Sequence, residues 1–167
     1  KIFLIYLFIE KEAEMNKIYC PNCDSLQNYR VDKRSEEFKV REDVVMVNSS
    51  VAICDNCKAE VFLEELEEEN LKLAYDQYRK KHNLLSPSEI KSIRDKYGLS
   101  QRSLGRLLEW GEITINRYEN GAIQDPAHNE VLQLISQPKN MLEIFEKNAY
   151  LVSQEERKRI REGIENC

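Results

Sequence analysis

The sequence predicts an α+β chain: a small β module at the N-terminus, a connecting helix, and an all-α module built around a helix-turn-helix and followed by further helices. Three observations carry that expectation. Four of the five cysteines fall in two C-x-x-C pairs, Cys20/Cys23 and Cys54/Cys57, with alternating apolar stretches between them. Residues 64–85 run from a block of glutamates to a block of bases over a helical apolar period. Ser100 to Gly121 holds two short helical patterns joined by a tight turn.

Composition narrows the function classes. The chain has 167 residues, 41% apolar and 33% charged, which suits one medium or two small globular domains. Its net charge is −5, and the segment 86–137 itself sets six cations against seven carboxylates. Non-specific attraction to nucleic acid is therefore weak, and any binding to DNA rests on a few placed cations doubled by dimerisation. The two histidines, His82 and His128, stand beside no nucleophile pattern, and there is no glycine-rich phosphate loop, so no enzyme is expected.

The first fourteen residues differ from the rest. Their apolar run is too short to span a bilayer and lacks a signal-peptide cleavage pattern, so the expected location is cytoplasmic, with no membrane partner. Lys11-Glu12-Ala13 back-translates to AAGGAGGC, a purine-rich ribosome-binding sequence just before the codon for Met15. Residues 1–14 thus read as translated leader DNA, the alternative being a genuine amphipathic tail. A native-protein peptide containing Phe3 to Phe8 would decide for the tail.

Residues 15–63 form the β module. Each C-x-x-C can fold into a knuckle presenting two thiolates, and two knuckles together supply the closed tetrahedral shell that structural zinc prefers. The stretches Tyr29–Asp32, Phe38–Arg41 and Val44–Val47 through Val51–Ile53 read as short antiparallel strands, and a zinc ribbon is the economical fold. So small a module has little core, and bound metal would contribute much of its folding free energy. The spacing speaks more strongly for four-thiolate ligation than for one metal, with redox dithiols or an iron centre as the alternatives to Zn2+. Catalytic zinc is not expected, since four thiolates leave no open position for water. Cys167 has no sequence partner.

Residues 64–85 predict the connecting helix, with Leu66, Leu71, Ala74, Tyr75 and Tyr78 on its apolar side and solvated charges at both ends. Asn83-Leu-Leu-Ser-Pro breaks it and is the candidate boundary and short hinge.

Residues 86–137 hold the helix-turn-helix module. Ser86-Pro-Ser-Glu89 is a capping box with proline at the first helical position, and Ile90, Ile93 and Tyr97 give that helix one buried face. Ser100 caps the next helix, Gln101 to Leu108; Glu109-Trp110-Gly111 is the turn; Glu112 to Asn120 is the second helix, stopped by Gly121. Leu104, Leu108, Ile115 and Tyr118 face the core, with small Gly105 at the closest approach of the two helices. Asp125-Pro126 starts a further helix with Val131, Leu132 and Ile135 inward, and Pro138 opens the extension 138–167. His128 reads as an ordinary surface residue and Trp110 as packing in the turn.

Segment 86–137 resembles the Xre, or phage-repressor, helix-turn-helix family through L-S-Q at Leu99–Gln101 and I-x-R-Y-E-N-G at Ile115–Gly121. The resemblance implies that Gln101 and Asn120 contact phosphate, that Glu112, Ile113 and Arg117 face bases with Thr114 and Asn116 flanking them, and that Arg94 and Glu119 form an ion pair tying the first helix to the end of the reader. The turn position usually held by glycine is Glu109, so either it adopts a positive φ or Gly111 takes the bend. The order of ribbon, connecting helix and Xre domain over residues 15 to about 137 further resembles the MqsA/YgiT-type antitoxins, although Asp24 and Lys58 stand where C-x-x-C-G usually has glycine. Residues 138–167 resemble the extension that precedes SocA-type (Panacea) antitoxin domains.

These resemblances imply a bacterial or phage-encoded transcriptional autorepressor, the antitoxin of a type II toxin–antitoxin pair, binding double-stranded operator DNA as a homodimer and a cognate toxin through its ribbon. The alternative is a prophage- or host-type Xre regulator whose zinc ribbon is purely structural and which has no toxin. One reader helix covers only a half-site, so a dimer and a palindromic operator go together.

Overall fold

Period-two alternation governs the first unit of the computed structural model, which describes residues 17–166. Four antiparallel strands lie in the order β1 (Lys17–Cys20), β2 (Ser25–Val40), β3 (Asp43–Cys54) and β4 (Glu60–Val61). In β3, Val45, Val47, Ser49 and Val51 are buried while Val44, Met46 and Asn48 face out, as a one-sided sheet requires. The expected short strands Tyr29–Asp32 and Phe38–Arg41 are instead parts of β2, which pairs with β3 without a break from Tyr29↔Cys54 to Val40↔Asp43. The charged run between them does not interrupt the strand, and its charges find partners both along β2 and across the sheet. Arg34 reaches Glu36 at 2.7 Å and Glu60 at 2.8 Å, and Ser49 donates to Glu36. Arg41 leaves the strand and turns it at φ +55°.

Helix α1 (Glu64–Lys81) begins with three glutamates and ends on three bases, matching its dipole. Its inward row is Asn70, Ala74 and Tyr78, spaced four apart. Leu71, expected on that row, is exposed, because Asn70 takes the inward place: its amide accepts from the Ser50 N–H at 2.8 Å and donates to the Ser50 carbonyl at 2.9 Å. One side chain thereby satisfies an outward-facing backbone pair of β3 as another strand would.

The chain divides into two compact units, one through Tyr78 and one from Arg79. In the second, helices α2 (Pro87–Lys96), α3 (Gln101–Leu107), α4 (Thr114–Glu119), α5 (Pro126–Ile135), α6 (Pro138–Asn148) and α7 (Gln154–Glu165) follow, with a 3-10 turn at Ala149–Leu151. Ser86, Ser100, Asp125 and Ser153 each cap a helix, the first and last as complete capping boxes. Gly98 at φ +61° and Gly121 at φ +100° follow the ends of α2 and α4. Helix α4 is shorter than its sequence pattern: Glu112 and Ile113 stay in the turn, closed by the Thr114 N–H on the Gly111 carbonyl at 2.9 Å.

A single core runs through this unit. Ile90, Tyr97, Leu104, Leu107, Ile115, Leu132 and Ile135 share it with Met141, Phe145 and Ile160 of α6 and α7. Leu108, Tyr118 and Val131 pack on it half-buried. The C-terminal helices thus complete the core of this helical unit rather than hanging from it. Their approach is close: a Cβ on Gly163 would stand 2.8 Å from Tyr97 Cα. Ser103 donates to Glu156, a bond that, with the Ser153 and Arg106 contacts, draws this carboxyl down to about 2 against its partial burial.

The stretch expected to serve as a hinge has its backbone held within this unit: the Leu85 N–H donates to Asn129 and its carbonyl accepts from Gln124. No helix among the described residues is long and apolar enough to cross a membrane. Residues 1–14, Met15 and Cys167 lie outside the described residues.

Candidate metal centre and candidate nucleic-acid interface

The β1–β2 turn delivers Cys20 and Cys23, and the β3–β4 connection delivers Cys54 and Cys57. Their four sulfurs all lie within 4.8 Å of one another. Cys20 and Cys57 stand 3.5 Å apart and Cys23 and Cys54 3.9 Å. A tetrahedron with metal–sulfur bonds of about 2.3 Å has edges of about 3.8 Å, so the donor set fits a closed four-thiolate shell with no place for a water ligand. Cys20 and Cys54 are fully buried beside Val61 and Ile18, Cys23 is half-buried, and Cys57 is exposed. The Cys57 and Asn56 amides directed at Cys54 pull its thiol down to about 7 against burial. Asn56 also donates from Nδ2 to the Cys23 sulfur at 3.3 Å, linking one knuckle to the other.

Asp24 and Lys58, which replace the usual knuckle glycines, take up the left-handed backbone themselves, at φ +50° and +60°. Asp24 accepts from the Tyr19 hydroxyl and Lys58 donates to the Asp55 carbonyl, so local bonds offset part of the strain.

In the helical unit the bend between α3 and α4 falls on Glu109, at φ +57°, and not on Gly111. The Trp110 N–H closes it on the Gly105 carbonyl at 2.8 Å. Gly105 lies under this turn rather than against α4: an added Cβ would meet the Gly111 carbonyl at 3.5 Å.

Most of the expected reading residues lie along the turn and α4. Glu112, Ile113, Asn116, Arg117 and Asn120 are exposed and Thr114 is half-buried. No carboxylate among the described residues holds Arg117, whereas Arg102 stands 3.9 Å from Glu112. Gln101 is engaged: it donates to Glu119 Oε2 at 2.7 Å and accepts from Asn116 Nδ2 at 3.0 Å. Asn120 donates to the Asn116 carbonyl at 2.9 Å.

Beneath these residues Arg94 and Glu119 form a two-pronged pair, Nε–Oε1 at 2.6 Å and Nη2–Oε2 at 3.0 Å, with side chains only 12% and 6% exposed. Arg94 further donates to the Leu99 carbonyl at 2.7 Å and meets Asp95 at 2.6 Å. Burial pushes the Glu119 carboxyl up, but the Arg94 and Gln101 bonds outweigh it and hold it below its ordinary range.

His128 is not the plain surface residue that its sequence neighbourhood suggests. It is half-buried, stacked on Trp110 with ring centroids 3.9 Å apart, and its Nδ1 lies 2.6 Å from the Tyr118 hydroxyl and 3.1 Å from Asp125. The i,i+3 spacing of Asp125 and His128 is the one local signal of this cluster; Trp110 joins it only through folding.

Residues 15–145 match the family model described as the antitoxin component of a bacterial toxin–antitoxin system, MqsA. No curated protein matches the chain.

Proposed function

The chain belongs to the MqsA antitoxin family, and from that membership we propose a cytoplasmic type II antitoxin that represses its own promoter, binding double-stranded operator DNA as a homodimer through an Xre-type helix-turn-helix. The observation that carries the DNA reading is Arg117, exposed and held by no carboxylate among the described residues, on a helix whose end is locked from beneath by Arg94 and Glu119. A guanidinium in that position suits guanine or phosphate. Glu112, Ile113, Thr114 and Asn116 form the rest of the base-facing edge, with Gln101 and Asn120 placed toward phosphates. The Gln101 to Asn116 bond lies within reach of DNA and opens when either amide turns to a base or a phosphate. Helices α6 and α7, the segment like that preceding SocA-type domains, are read as the part that closes the DNA-binding core, given Met141, Phe145 and Ile160.

Cys20, Cys23, Cys54 and Cys57 hold Zn2+ in this reading. The ion supplies a cross-link between the two knuckles and hence folding free energy. The chain's own part is to present four thiolates and exclude water, and the toxin is assigned to the ribbon.

Footprinting on the upstream DNA tests the proposal. Protection of two half-sites one helical turn apart is expected, and Arg117→Ala weakens operator binding by about 1–3 kcal/mol. No protection at physiological salt sinks the DNA reading. Cys20→Ser is expected to lose toxin neutralisation while keeping promoter binding, and loss of both would leave the ribbon a holder of the dimer.

A further inference from the structure

Arg79 stands in the last turn of α1, where the sequence pattern reads a solvated basic end, yet it is only 4% exposed. Its Nη2 donates to the Gly121 carbonyl at 2.6 Å. Gly121 is the residue whose positive φ stops α4, so this bond fixes the carboxyl end of the helix that carries Asn116 and Arg117. A buried cation there also meets the negative end of the helix dipole.

The chain just beyond Arg79 is strapped to the segment that follows α4 and to the first turn of α5. The Leu85 carbonyl accepts from Gln124 Nε2 at 2.7 Å, and the Leu85 N–H donates to Asn129 Oδ1 at 2.9 Å. Gln124 and Asn129 are bonded to each other at 3.1 Å, and both are buried. Buried polar side chains are costly unless bonded, and the bonds they make favour one arrangement over others. Here the bonds run between segment 79–85, which leads into α2, and segment 121–129, which follows the helix expected to read DNA.

We propose that Arg79, backed by the Gln124–Asn129 strap, is a positioning residue for α4: it sets the carboxyl end of the reader helix so that Arg117 and Asn120 meet DNA in one orientation. The state of the last turn of α1 is thereby expressed as operator affinity. This rests on the DNA-binding reading above.

The test compares full-length wild type with Arg79→Met, which keeps the stem and removes the donors, and Arg79→Lys, which keeps the charge with one compact donor group. Three quantities are measured: affinity for the footprinted upstream fragment, affinity for random-sequence DNA of equal length, and amide hydrogen exchange at Gly121 and Ala122. Arg79→Met is expected to weaken operator binding about tenfold, the size of one lost base contact. Non-specific binding stays unchanged, exchange at 121–122 accelerates, and Arg79→Lys recovers part of both effects. If Arg79→Met does not fold, Arg79→Lys carries the test, with at least a twofold loss of operator affinity expected.

Operator affinity within twofold of wild type, equal loss of specific and non-specific binding, or unchanged exchange at 121–122 overturns the assignment. A wild type that does not bind its upstream DNA overturns the DNA reading and this inference with it; a failed brace differs because wild-type binding is then intact.

Discussion

Removing the Arg94 side chain tests the buried joint of the helical unit. Arg94→Ala leaves Glu119, 6% exposed, without its two charge-assisted bonds, and leaves the Leu99 carbonyl without a donor. Breaking one partner of a buried pair costs about 3–5 kcal/mol, and since Arg94 keeps some solvent contact the low end, ~3 kcal/mol, applies. For a unit the size of Arg79–Cys167, each kcal/mol moves Tm by roughly 4–8 °C, so a fall of about 12–24 °C is expected in a calorimetric scan at pH 7. Replacing both partners by apolar residues, Arg94→Met with Glu119→Leu, recovers much of the loss, because no charge is then stranded. The pH dependence has a definite sign. The folded state lowers the Glu119 carboxyl from its ordinary 4.5, so the stability it contributes is fully present above that value and drains as pH falls through the folded one. Glu156, held at about 2, adds to the same acid window. Glu119→Gln removes its share of that slope. Equal melting temperatures for Arg94→Ala and wild type, or an Arg94→Ala penalty unchanged in the Glu119→Gln background, would refute the reasoning.

Glu109→Gly relieves a left-handed residue in the turn and is expected to raise stability by about 1 kcal/mol in a urea titration; a lowered midpoint contradicts the strain argument. Gly163→Ala should lower stability by roughly 1–3 kcal/mol although alanine favours helix, because its Cβ meets the Tyr97 backbone; a stabilised variant would show that α7 can shift freely. Treatment with a strong chelator, which removes the ion proposed at the four cysteines, is expected to unfold the sheet unit while the helical unit keeps its helix signal and its melting transition, since its core includes no cysteine among the described residues; an unchanged sheet signal counts against metal-dependent folding.

Much of the candidate site was legible because its signals are short-range. A C-x-x-C pair presents its two sulfurs through the geometry of one turn, and a proline after Ser86 or Asp125 starts a helix through its own fixed φ. The proposed reading edge from Glu112 to Asn120 is likewise one piece of chain. Where local rules conflicted, the sequence left two outcomes. Whether Glu109 or Gly111 took the bend was such a case, and the closure of the Trp110 N–H on Gly105 placed it on the glutamate.

What the amino-acid sequence determined by itself was the α+β class, the cysteine quartet and the helix caps, all properties of neighbours within a turn or a strand. Tertiary structure alone decided the rest. The charged middle of β2 remains strand because Arg34 finds Glu60 across the sheet, and Asn70 displaces Leu71 from the inward row because Ser50 offers it a backbone pair. Arg79 leaves solvent for the Gly121 carbonyl, and His128 leaves it for Trp110. In each case the side chain's place was set by a group distant in sequence, and for Asn70, Arg79 and His128 that pairing, not the residue's own preference, drew a polar side chain inward.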